Sequence, residues 1–372
     1  MKTTIRNIND LDTPCLVLDM EILERNLLKM QDVVARAGKA LRPHAKTHKC
    51  SALARRQIEA GAIGVCAAKV SEAEALVKAG LHGIHITGPV ATPAKIARLV
   101  RLLAASPSLT TVVDDRRGVD LLDRALREKR MSMDVLLDVD IGMHRTGARP
   151  ADAPGLAEYV LSRPALRLRG IQAYAGQVQQ VHSFDDRKAA SHKCLREVVP
   201  LFRDLRAAVD TCAIFSASGT GTFDIDLEVP EITELQVGTY ACMDAEYLAV
   251  GSAEDPARFA PFDPALRLLT TVVSGNQRGF VTVDAGLKSL YKDGGIPQVM
   301  GSGNRGLTYD WFGDEYGKIF YSGEAGAPAV GTVLELVVSH CDPTVNLFDR
   351  YYLTKGDGVV GEWPIDLRGC SQ

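Results

Sequence analysis

The sequence predicts an α/β protein, a (β/α)8 TIM-like barrel with a second, mainly antiparallel β domain. Eight short apolar runs alternate with amphipathic helical stretches over about 200 of the 372 residues. Parallel strands need helix-sized connections, so this alternation favours a parallel sheet, and eight such units suffice to close a barrel. After about residue 262 the helical pattern ends and β-rich segments follow, which predicts a separate domain.

The first predicted barrel strand is ALRPHA, and seven more follow along the chain. In order, the eight are ALRPHA (40–45), GVCAA (64–68), GIHIT (83–87), LTTVVDD (109–115), MDVLLDVD (133–140), LRLRGIQAY (166–174), AIFSAS (213–218) and ELQVG (234–238). Helical patterns such as SEAEALVKAG and RGVDLLDRALREK lie between them. A doubly wound open sheet is the alternative, but no G-x-G-x-x-G follows the first strand, which weakens a dinucleotide-binding version.

The second domain is predicted from the C-terminal third of the chain. LRLLTTVVSGNQRGFVTVDAG and VGTVLELVVSHCD read as strands, and turn sequences such as SGN and DGG accompany them. TPCLVLD, residues 13–19, is another strand-like piece before the first helix. We therefore predict a barrel over 20–260 and a β domain built from 1–19 plus 261–372.

Composition and charge argue against several functional classes. The chain is 46% hydrophobic and 24% charged, with a formal net charge of −3 and basic residues spread along its length. That distribution gives no reason to expect nucleic acid as a partner. No apolar run reaches the ~18 residues that span a bilayer, and the N-terminus lacks the apolar core of a secretion signal. We expect a cytoplasmic protein with no membrane partner, whose eight cysteines are reduced.

The stretch LRPHAKTHKC, residues 41–50, places two histidines, two lysines and one arginine at the end of the first predicted strand. Barrel enzymes have their active sites at this edge. A partly desolvated lysine beside other cationic groups has its ammonium form disfavoured, so its amine can form a Schiff base. The alternative is a solvated surface lysine, and position alone favours that alternative for Lys46.

Small residues follow the last two barrel strands, in SASGTGTFD (216–224) and VGTYACMD (237–244). Backbone N–H groups and hydroxyls of such loops can hold a phosphate, and barrels often bind one after strands seven and eight. An ordinary turn is the alternative. The candidate phosphate ligands are Ser218, Gly219, Thr220, Gly238, Thr239 and Tyr240.

The segment SHCDPTVNLFD, residues 339–349, follows an apolar strand. Residues two apart on a strand project from the same face, so His340 and Asp342 are expected to converge while Cys341 points away. An imidazole and a carboxylate together suit a divalent ion. A histidine–aspartate hydrogen bond without a metal is the alternative that the residues alone leave open.

RPHAKTHK resembles the active-site segment of the D-threonine aldolase and D-serine dehydratase family. The resemblance extends from DTPCLVLD near the start of the chain to HCDPTVNLFD near its end. That family combines an alanine-racemase-like barrel with a β domain and uses pyridoxal 5'-phosphate. The resemblance implies that Lys46 holds this cofactor as a Schiff base, and it supports the two phosphate loops.

The resemblance also implies two residues at the cofactor ring. Arg145, in DVDIGMHRTG, would face the pyridine nitrogen, and Tyr174, in QAYAGQVQ, would lie near the ring. Because arginine stays protonated, it would leave that nitrogen unprotonated and make the cofactor a weaker electron sink. A structural pairing of Arg145 with Asp138 or Asp140 is one alternative, and packing of Tyr174 at the barrel mouth is another.

A metal is implied in the same way. The aldolase branch of the family has H-x-D where the dehydratase branch has H-x-C, so His340 and Asp342 place the chain nearer the aldolases. We expect them to bind one divalent ion, with manganese as the first choice and magnesium or zinc as alternatives. DWFGDEYG, residues 310–317, resembles a loop that supplies an acidic residue close to the metal, and Asp314 is its match. A solvated loop carboxylate is the alternative for Asp314.

These implications together predict an enzyme, a carbon–carbon lyase that cleaves D-3-hydroxy amino acids into glycine and an aldehyde, as a metal-dependent D-threonine aldolase does. Lys46 and Asp314 are its predicted catalytic residues, and a homodimer acting on a small D-amino acid is its predicted form. A D-serine or 3-hydroxyaspartate dehydratase of the same family is the alternative. From another class, the alternative is a non-catalytic pyridoxal-phosphate-binding homeostasis protein, but such small proteins lack a C-terminal β domain.

Overall fold

The computed structural model describes residues 6–301, 306–322 and 326–372, and the chain divides into two compact units. The barrel unit comprises Lys29–Lys46, Leu53–Gly238 and Gly369–Gln372. The β-rich unit comprises the described residues of Met1–Leu28, Thr47–Ala52 and Thr239–Arg368. Within the described residues, no helix is both long enough and apolar enough to cross a membrane.

Strands and helices alternate in the first part of the chain, and strands dominate the second. The strands are β1 (Cys15–Asp19), β2 (Ala40–Leu41), β3 (Val65–Ala67), β4 (Ile84–Ile86), β5 (Thr110–Val113), β6 (Met133–Asp138), β7 (Leu166–Ala173), β8 (Ile214–Ala217), β9 (Glu234–Leu235), β10 (Leu266–Ser274), β11 (Phe280–Val283), β12 (Gln298–Val299), β13 (Leu307–Trp311), β14 (Gly317–Tyr321), β15 (Val333–Val337), β16 (Arg350–Lys355) and β17 (Gly358–Pro364). The helices are α1 (Met20–Arg36), α2 (Ser51–Glu59), α3 (Val70–Lys78), α4 (Pro93–Ala105), α5 (Arg116–Glu128), α6 (Ala153–Leu161), α7 (Phe184–Leu195), α8 (Val198–Ala208), α9 (Phe223–Asp226), α10 (Ala245–Leu248) and α11 (Cys341–Val345). Short 3-10 helices form at Ile8–Asp10, Gly176–Val178 and Thr239–Ala241.

The barrel unit is built on eight parallel strands in the order β2-β9-β8-β7-β6-β5-β4-β3. A parallel bridge between His44 and Cys66 joins the segment after β2 to β3, so the two ends of this path meet. All eight strands predicted from the sequence are present. The predicted TIM-like barrel with a second, mainly antiparallel sheet is therefore confirmed.

Local sequence explains the helices that connect these strands, and α5 is an example. Asp115 caps its first turn by accepting a hydrogen bond from Gly118 N–H at 2.9 Å. Its apolar face, at positions i, i+3 and i+7, buries Val119, Leu122 and Leu126. Each leucine buried in this way contributes roughly 1.5–3 kcal/mol, so a charged residue at position 122 would dislodge the helix.

The β-rich unit is a sheet in the order β13-β14-β11-β10-β1-β16-β17, with β15 paired to β10 and β12. Its pairs are antiparallel, except that β1 runs parallel to β16. β1, which the sequence analysis expected from TPCLVLD, lies between β10 and β16. Leu266, Leu268 and Leu269 of β10 are fully buried, which places β10 in the core of this unit.

The boundaries of the two domains stay a prediction. The sequence places the break after residue 260, whereas the compact units group 239–260 with the β-rich segments. Within the β-rich unit, Ala245 N–H donates to Val338 O at 2.9 Å and Glu246 N–H donates to Ser339 O at 3.2 Å. These hydrogen bonds attach α10 to the segment after β15. The first five residues of the predicted 1–19 piece lie outside the described part of the chain.

Candidate active site

Lys46 lies just after the first barrel strand, where the sequence analysis places it. Its side chain is half-buried, and its Nζ lies 5.8 Å from the centroid of the Tyr174 ring. Its backbone N–H donates to His44 Nδ1 at 3.3 Å, and His44 Nε2 lies 3.1 Å from Thr87 Oγ1. Since Nδ1 accepts, the imidazole of His44 is neutral and carries its proton on Nε2. The segment therefore presents an amine next to an aromatic ring.

The loop after β6 carries Arg145 and is organised by Asp140. Asp140 Oδ1 accepts hydrogen bonds from the backbone N–H groups of residues 142–144, each at 3.0 Å, and its Oδ2 lies 3.0 Å from His144 Nδ1. Burial raises the pKa of Asp140, but these hydrogen bonds outweigh it and hold that pKa below its usual range. Arg145 is exposed, and among the described residues it forms no ion pair with Asp140 or Asp138. The purely structural pairing considered for Arg145 is therefore not found.

Tyr174 follows β7 and is half-buried. A Cβ atom at Gly176 would lie 2.8 Å from Tyr174 Cε1 and 2.7 Å from Met143 Cε. Met143 belongs to the loop that carries Arg145. Glycine at position 176 therefore lets both this loop and the Tyr174 ring approach the backbone of residue 176. Within the barrel unit, Lys46, Tyr174 and the Arg145 loop are thus brought together.

The loop after β8 has the features expected of a phosphate-binding turn. Ser218 has a φ of 77°, and Gly221 N–H donates to Gln179 Oε1 at 2.9 Å. A Cβ atom at Gly219 would lie 2.5 Å from the same Oε1, so glycine is needed for this close approach. In the part of the chain that the structure describes, the backbone N–H groups of Ser218 and Gly219 donate to no protein acceptor. They are suited to bind an anion, and Thr220 beside them is buried.

The second phosphate candidate follows β9. Gly238 ends a segment of the barrel unit, and Thr239 and Tyr240 begin one of the β-rich unit. Tyr240 is fully buried, and its ring meets that of Phe262 edge-on, with centroids 5.7 Å apart. Its side chain therefore belongs to a hydrophobic core. A phosphate role for Tyr240 would use its backbone N–H, and that role stays a prediction.

His340 and Asp342 do not lie on a strand. β15 ends before them, and His340 is the N-cap residue of the short helix α11. The prediction that strand alternation brings them to one face is wrong, because Pro343 in the first turn lacks an N–H and favours helical φ. The two side chains still converge, with His340 Nε2 3.7 Å from Asp342 Oδ2. Cys341 is fully buried, and its Sγ lies 3.4 Å from Met243 O.

Carboxylates surround the imidazole of His340. Its Nδ1 lies 3.3 Å from Asp293 Oδ2 and 3.9 Å from Glu246 Oε2. Burial lowers the pKa of His340, but Asp342, Asp244 and Glu246 raise it by more, so it lies above its usual value. Burial raises the pKa of Asp244 to about 6. The cluster holds more carboxylates than a single imidazolium can neutralise, and this excess negative charge attracts cations.

Hydrogen bonds hold these carboxylates against the His340 segment. Glu246 N–H donates to Ser339 O, as described for α10. On the other side, Ser339 Oγ donates to Tyr291 O, and Tyr291 N–H donates to Thr344 Oγ1 at 3.4 Å. Asp293 lies two residues after Tyr291. The segment that contains His340 therefore also positions its partners Glu246 and Asp293.

Asp314 lies in the exposed turn between β13 and β14. Its backbone oxygen accepts a hydrogen bond from Lys288 N–H at 3.0 Å. A Cβ atom at Gly286 would lie 2.6 Å from that oxygen, so glycine permits the turn to pack there. The predicted role of the Asp314 carboxylate beside a metal stays a prediction.

The residues present fit both groups that the resemblance implies. In the barrel unit, an amine, an aromatic ring and unbonded N–H groups match the aldehyde, ring and phosphate of pyridoxal phosphate. In the β-rich unit, one imidazole and one carboxylate are donors that Mn²⁺, Mg²⁺ and Zn²⁺ all accept. Over residues 6–301, 306–322 and 326–372, no group of three or more His, Cys, Asp or Glu side chains could hold an ion. Water or a substrate oxygen would have to complete the coordination.

Several polar residues at these sites were missed from the sequence. Gln172 and Gln179 are 3% and 1% exposed, and both lie in QAYAGQVQ, which was singled out for its tyrosine. A polar residue at the apolar end of a barrel strand was the signal that could have identified Gln172. Asp293 and Glu246 gave no such signal, because they lie far from His340 in sequence.

Two family models match the chain. The model of the alanine racemase N-terminal domain matches residues 18–246, and that of a serine dehydratase domain matches residues 265–354. The first covers all eight parallel strands, and the second covers His340 and Asp342. The fold and the candidate site thus define a protein of the alanine-racemase-like class.

Curated relatives and solved structures narrow this class. The chain is 39% identical to D-threonine aldolase from an Arthrobacter species over 363 residues, which is 97% of this chain and 94% of the relative. It is 35% identical to 3-hydroxy-D-aspartate aldolase from Paracoccus denitrificans, over 97% of this chain and 93% of that one. The crystal structure of D-threonine aldolase from Filomicrobium marinum matches with a TM-score of 0.93 at 34% identity, over 99% of this chain and 98% of that one.

The chain belongs to the D-threonine aldolase and D-serine dehydratase family. The resemblance stated from RPHAKTHK is therefore confirmed. The prediction of an enzyme of the carbon–carbon lyase class is confirmed as well, since these relatives are named aldolases.

Proposed function

We propose that the protein is a metal-dependent pyridoxal-phosphate D-threonine aldolase, which cleaves D-3-hydroxy amino acids into glycine and an aldehyde. The observation that carries the proposal is the convergence of His340 Nε2 and Asp342 Oδ2, 3.7 Å apart. A carboxylate in this pair is a hard oxygen ligand, which suits manganese or magnesium. The same position is a cysteine in the dehydratase branch that the sequence resembles, so the aspartate favours aldol cleavage.

In this proposal, Lys46 holds the cofactor through its ε-amine. Arg145 would face the cofactor ring nitrogen, Tyr174 would lie near the ring, and the N–H groups of Ser218 and Gly219 would hold the phosphate. When bound, the cofactor supplies an electron sink for the carbanion that Cα–Cβ cleavage leaves, and the divalent ion supplies a Lewis acid for the β-hydroxyl. These hydrogen-bond donors at the edge of the barrel would orient the cofactor.

His340 and Asp342 hold the ion. The Asp293 carboxylate at 3.3 Å favours a proton on His340 Nδ1, which leaves the lone pair of Nε2 directed toward Asp342. Asp342 would supply one negatively charged oxygen ligand and His340 a neutral nitrogen, so a divalent ion held by them would retain a net positive charge and could lower the pKa of a hydroxyl ligand. Asp314 is proposed as a further acidic residue of the catalytic machinery.

The test is a panel of three substrates. Protein loaded with pyridoxal phosphate and Mn²⁺ is incubated separately with D-threonine, L-threonine and D-serine, and acetaldehyde, glycine and pyruvate are measured. We expect glycine and acetaldehyde in equal amounts from D-threonine and neither from L-threonine. Pyruvate from D-serine forming faster than glycine from D-threonine would move the chain to the dehydratase branch. Cofactor binding without turnover of any substrate would favour the non-catalytic alternative.

The family resemblance supports three further proposals: a homodimer, manganese as the ion, and a cytoplasmic location. Light scattering on the loaded protein should give twice the mass of one chain. A mass equal to one chain at working concentration would contradict the dimer. Activity restored to chelated protein by zinc but not by manganese would contradict the choice of metal.

A further inference from the structure

A hydrogen-bond chain runs through the barrel unit, beginning at the segment of Lys46. The backbone N–H of Lys46 donates to His44, and His44 Nε2 donates to Thr87 Oγ1. The backbone oxygen of Thr87 in turn accepts from Gln172 Nε2 at 3.0 Å. The position of the proposed cofactor lysine is therefore linked to the amide of a buried glutamine on β7.

Gln172 is the centre of this chain. Its Nε2 donates to Thr87 O at 3.0 Å and to Asp138 Oδ1 at 2.8 Å. Its Oε1 accepts from His85 Nε2 at 3.1 Å and from Gln236 Nε2 at 3.0 Å. These four hydrogen bonds use both N–H groups and both lone pairs of the amide. The amide orientation is fixed, since each of its partners on the nitrogen side is an acceptor.

The other end of the chain is the Arg145 loop. Asp138 Oδ2 accepts from Thr146 Oγ1 at 2.9 Å, and Asp138 O accepts from Ala148 N–H at 2.9 Å. Asp138 thereby fixes the chain on the C-terminal side of Arg145. Burial raises the pKa of Asp138 to about 6, so at neutral pH it is a carboxylate that accepts both side-chain hydrogen bonds.

We propose that Gln172 is a positioning residue, whose amide sets the distance between the Lys46 segment and the Arg145 loop so that both ends of pyridoxal phosphate's ring can be held. The proposal rests on the proposed function, which assigns Lys46 and Arg145 to that cofactor. A glutamine is suited to this task because it joins two acceptors on one side to two donors on the other. Glutamate cannot donate when ionised, and leucine would leave all four partners unsatisfied.

The informative substitution is Gln172→Glu, because it keeps the size of the side chain and removes the N–H donors that serve Thr87 O and Asp138 Oδ1. It places a second carboxyl group beside Asp138, where the two must share a proton or separate. At about pH 8 the pair repels and both contacts of the lost amide nitrogen are broken, whereas at about pH 6 a shared proton can restore the contact with Asp138, though not the donor to Thr87 O. A role limited to core packing would not make cofactor binding depend on pH in this way.

The measurement is the dissociation constant of pyridoxal phosphate, obtained by titrating cofactor-free protein and following the absorbance of the lysine-bound form. Relative to wild type at the same pH, we expect Gln172→Glu to bind roughly 10-fold more weakly at about pH 8, and the ratio to shrink to about 2-fold at about pH 6. The double variant Gln172→Glu with Asp138→Asn reverses donor and acceptor. It restores the contact between residues 172 and 138 but not the donor to Thr87 O, so it should recover part of the loss at the higher pH.

A matched control separates this effect from that of any buried carboxylate. Gln57, on α2, is 1% exposed, and Gln57→Glu should alter thermal stability without a pH-dependent change in cofactor affinity. Thr146→Val removes only the hydrogen bond from Thr146 to Asp138. Because Thr146 is exposed, this variant should fold even if Gln172→Glu does not. We expect it to weaken cofactor binding by roughly 3- to 10-fold.

The outcomes distinguish this inference from the proposed function. Cofactor captured equally well by Lys46→Ala would overturn the proposed function itself. A different result would overturn the role of Gln172 alone. In that result, cofactor binding requires Lys46, but the dissociation constant of Gln172→Glu relative to wild type is the same at both pH values and the double variant shows no rescue. An unchanged affinity in Thr146→Val would do the same.

Discussion

The polar cluster around Gln172 in the barrel unit and the polar cluster around His340 in the β-rich unit differ in how completely their groups are paired. In the barrel unit, the amide of Gln172 has its full set of partners and the imidazole of His85 is neutral, with burial lowering the pKa of His85 to about 4. In the β-rich unit, four carboxylates act on one imidazole, that of His340, and raise its pKa. The first network is close to saturated, and the second carries excess negative charge.

The difference shows what each region is suited to do. A saturated network holds strand ends at fixed distances, which serves a cofactor that must be bound at several points. A cluster with excess negative charge gains most from a cation. We therefore expect cofactor binding to depend on the barrel unit and metal binding on the β-rich unit, so that changes in each have separate consequences.

The largest expected effect is that of Lys46→Ala. Removing the amine should abolish the absorbance of the bound cofactor and lower D-threonine cleavage by roughly 10⁴-fold or more, since an essential covalent group is lost. Absorbance spectra and initial rates of acetaldehyde release measure both. Lys129→Ala is the control, because Lys129 is exposed at the end of α5. Turnover at the wild-type rate in Lys46→Ala would refute the assignment.

Asp342→Ala should separate the two regions. Loss of a carboxylate ligand is expected to remove about 4 kcal/mol of Lewis-acid assistance, or roughly 10³-fold in rate, while the cofactor absorbance stays unchanged. Asp357→Ala, at an exposed turn, is the matched control. If Asp342→Ala lost its cofactor absorbance as well, the separation of roles would be wrong.

Asp138→Asn tests the barrel network through pH. The pKa of Asp138 is raised from 3.8 to about 6 by burial, which corresponds to ~3 kcal/mol. Because the pKa of Asp138 is higher in the folded state, its protonation contributes this amount to the free energy of unfolding below about pH 4. The contribution is lost as pH rises through about 6. Because asparagine does not ionise, the variant should gain up to ~3 kcal/mol relative to wild type between these limits. Urea unfolding of cofactor-free protein at several pH values measures the difference, and parallel curves would contradict the burial of an ionising Asp138.

Asp293→Asn should give the smallest effect. The amide is a weaker acceptor for His340 Nδ1, so the imidazole is less well oriented and less basic, and metal affinity should fall roughly 10-fold. Calorimetric titration of the protein with Mn²⁺ measures this without any turnover. Asp357→Asn again serves as the control. An unchanged Mn²⁺ affinity would show that Asp293 does not orient His340.

The barrel could be predicted from the sequence because its signals are local. Each of the eight parallel strands is a short apolar run, and each connection carries helical periodicity. Lys46 and Arg145 could be placed at strand ends for the same reason. The environment of Lys46 could be predicted in part, but its link to Gln172 could not, because hydrogen bonds between strands depend on the register of the closed sheet.

At the candidate metal site, the structure corrects the conformation predicted from the sequence but keeps His340 and Asp342 close together. The apolar run before His340 gives no sign of where β15 ends, so Asp342 was assigned to a strand although it lies in α11. The two side chains still converge, because His340 is the N-cap and keeps an extended backbone, with a φ of −146° and a ψ of 127°. The carboxylates of Glu246 and Asp293 were missed, since long-range packing alone brings them to His340.

The central claim is that cofactor binding and metal-dependent cleavage reside in separate groups of this chain. The most direct measurement is to chelate the loaded wild-type protein, record the absorbance of the bound cofactor and the rate of D-threonine cleavage, and then add Mn²⁺. We expect chelation to abolish acetaldehyde release and to leave the cofactor absorbance unchanged, and we expect the added ion to restore cleavage. Full cleavage of D-threonine by exhaustively metal-free protein, with the cofactor in place, would contradict the central claim.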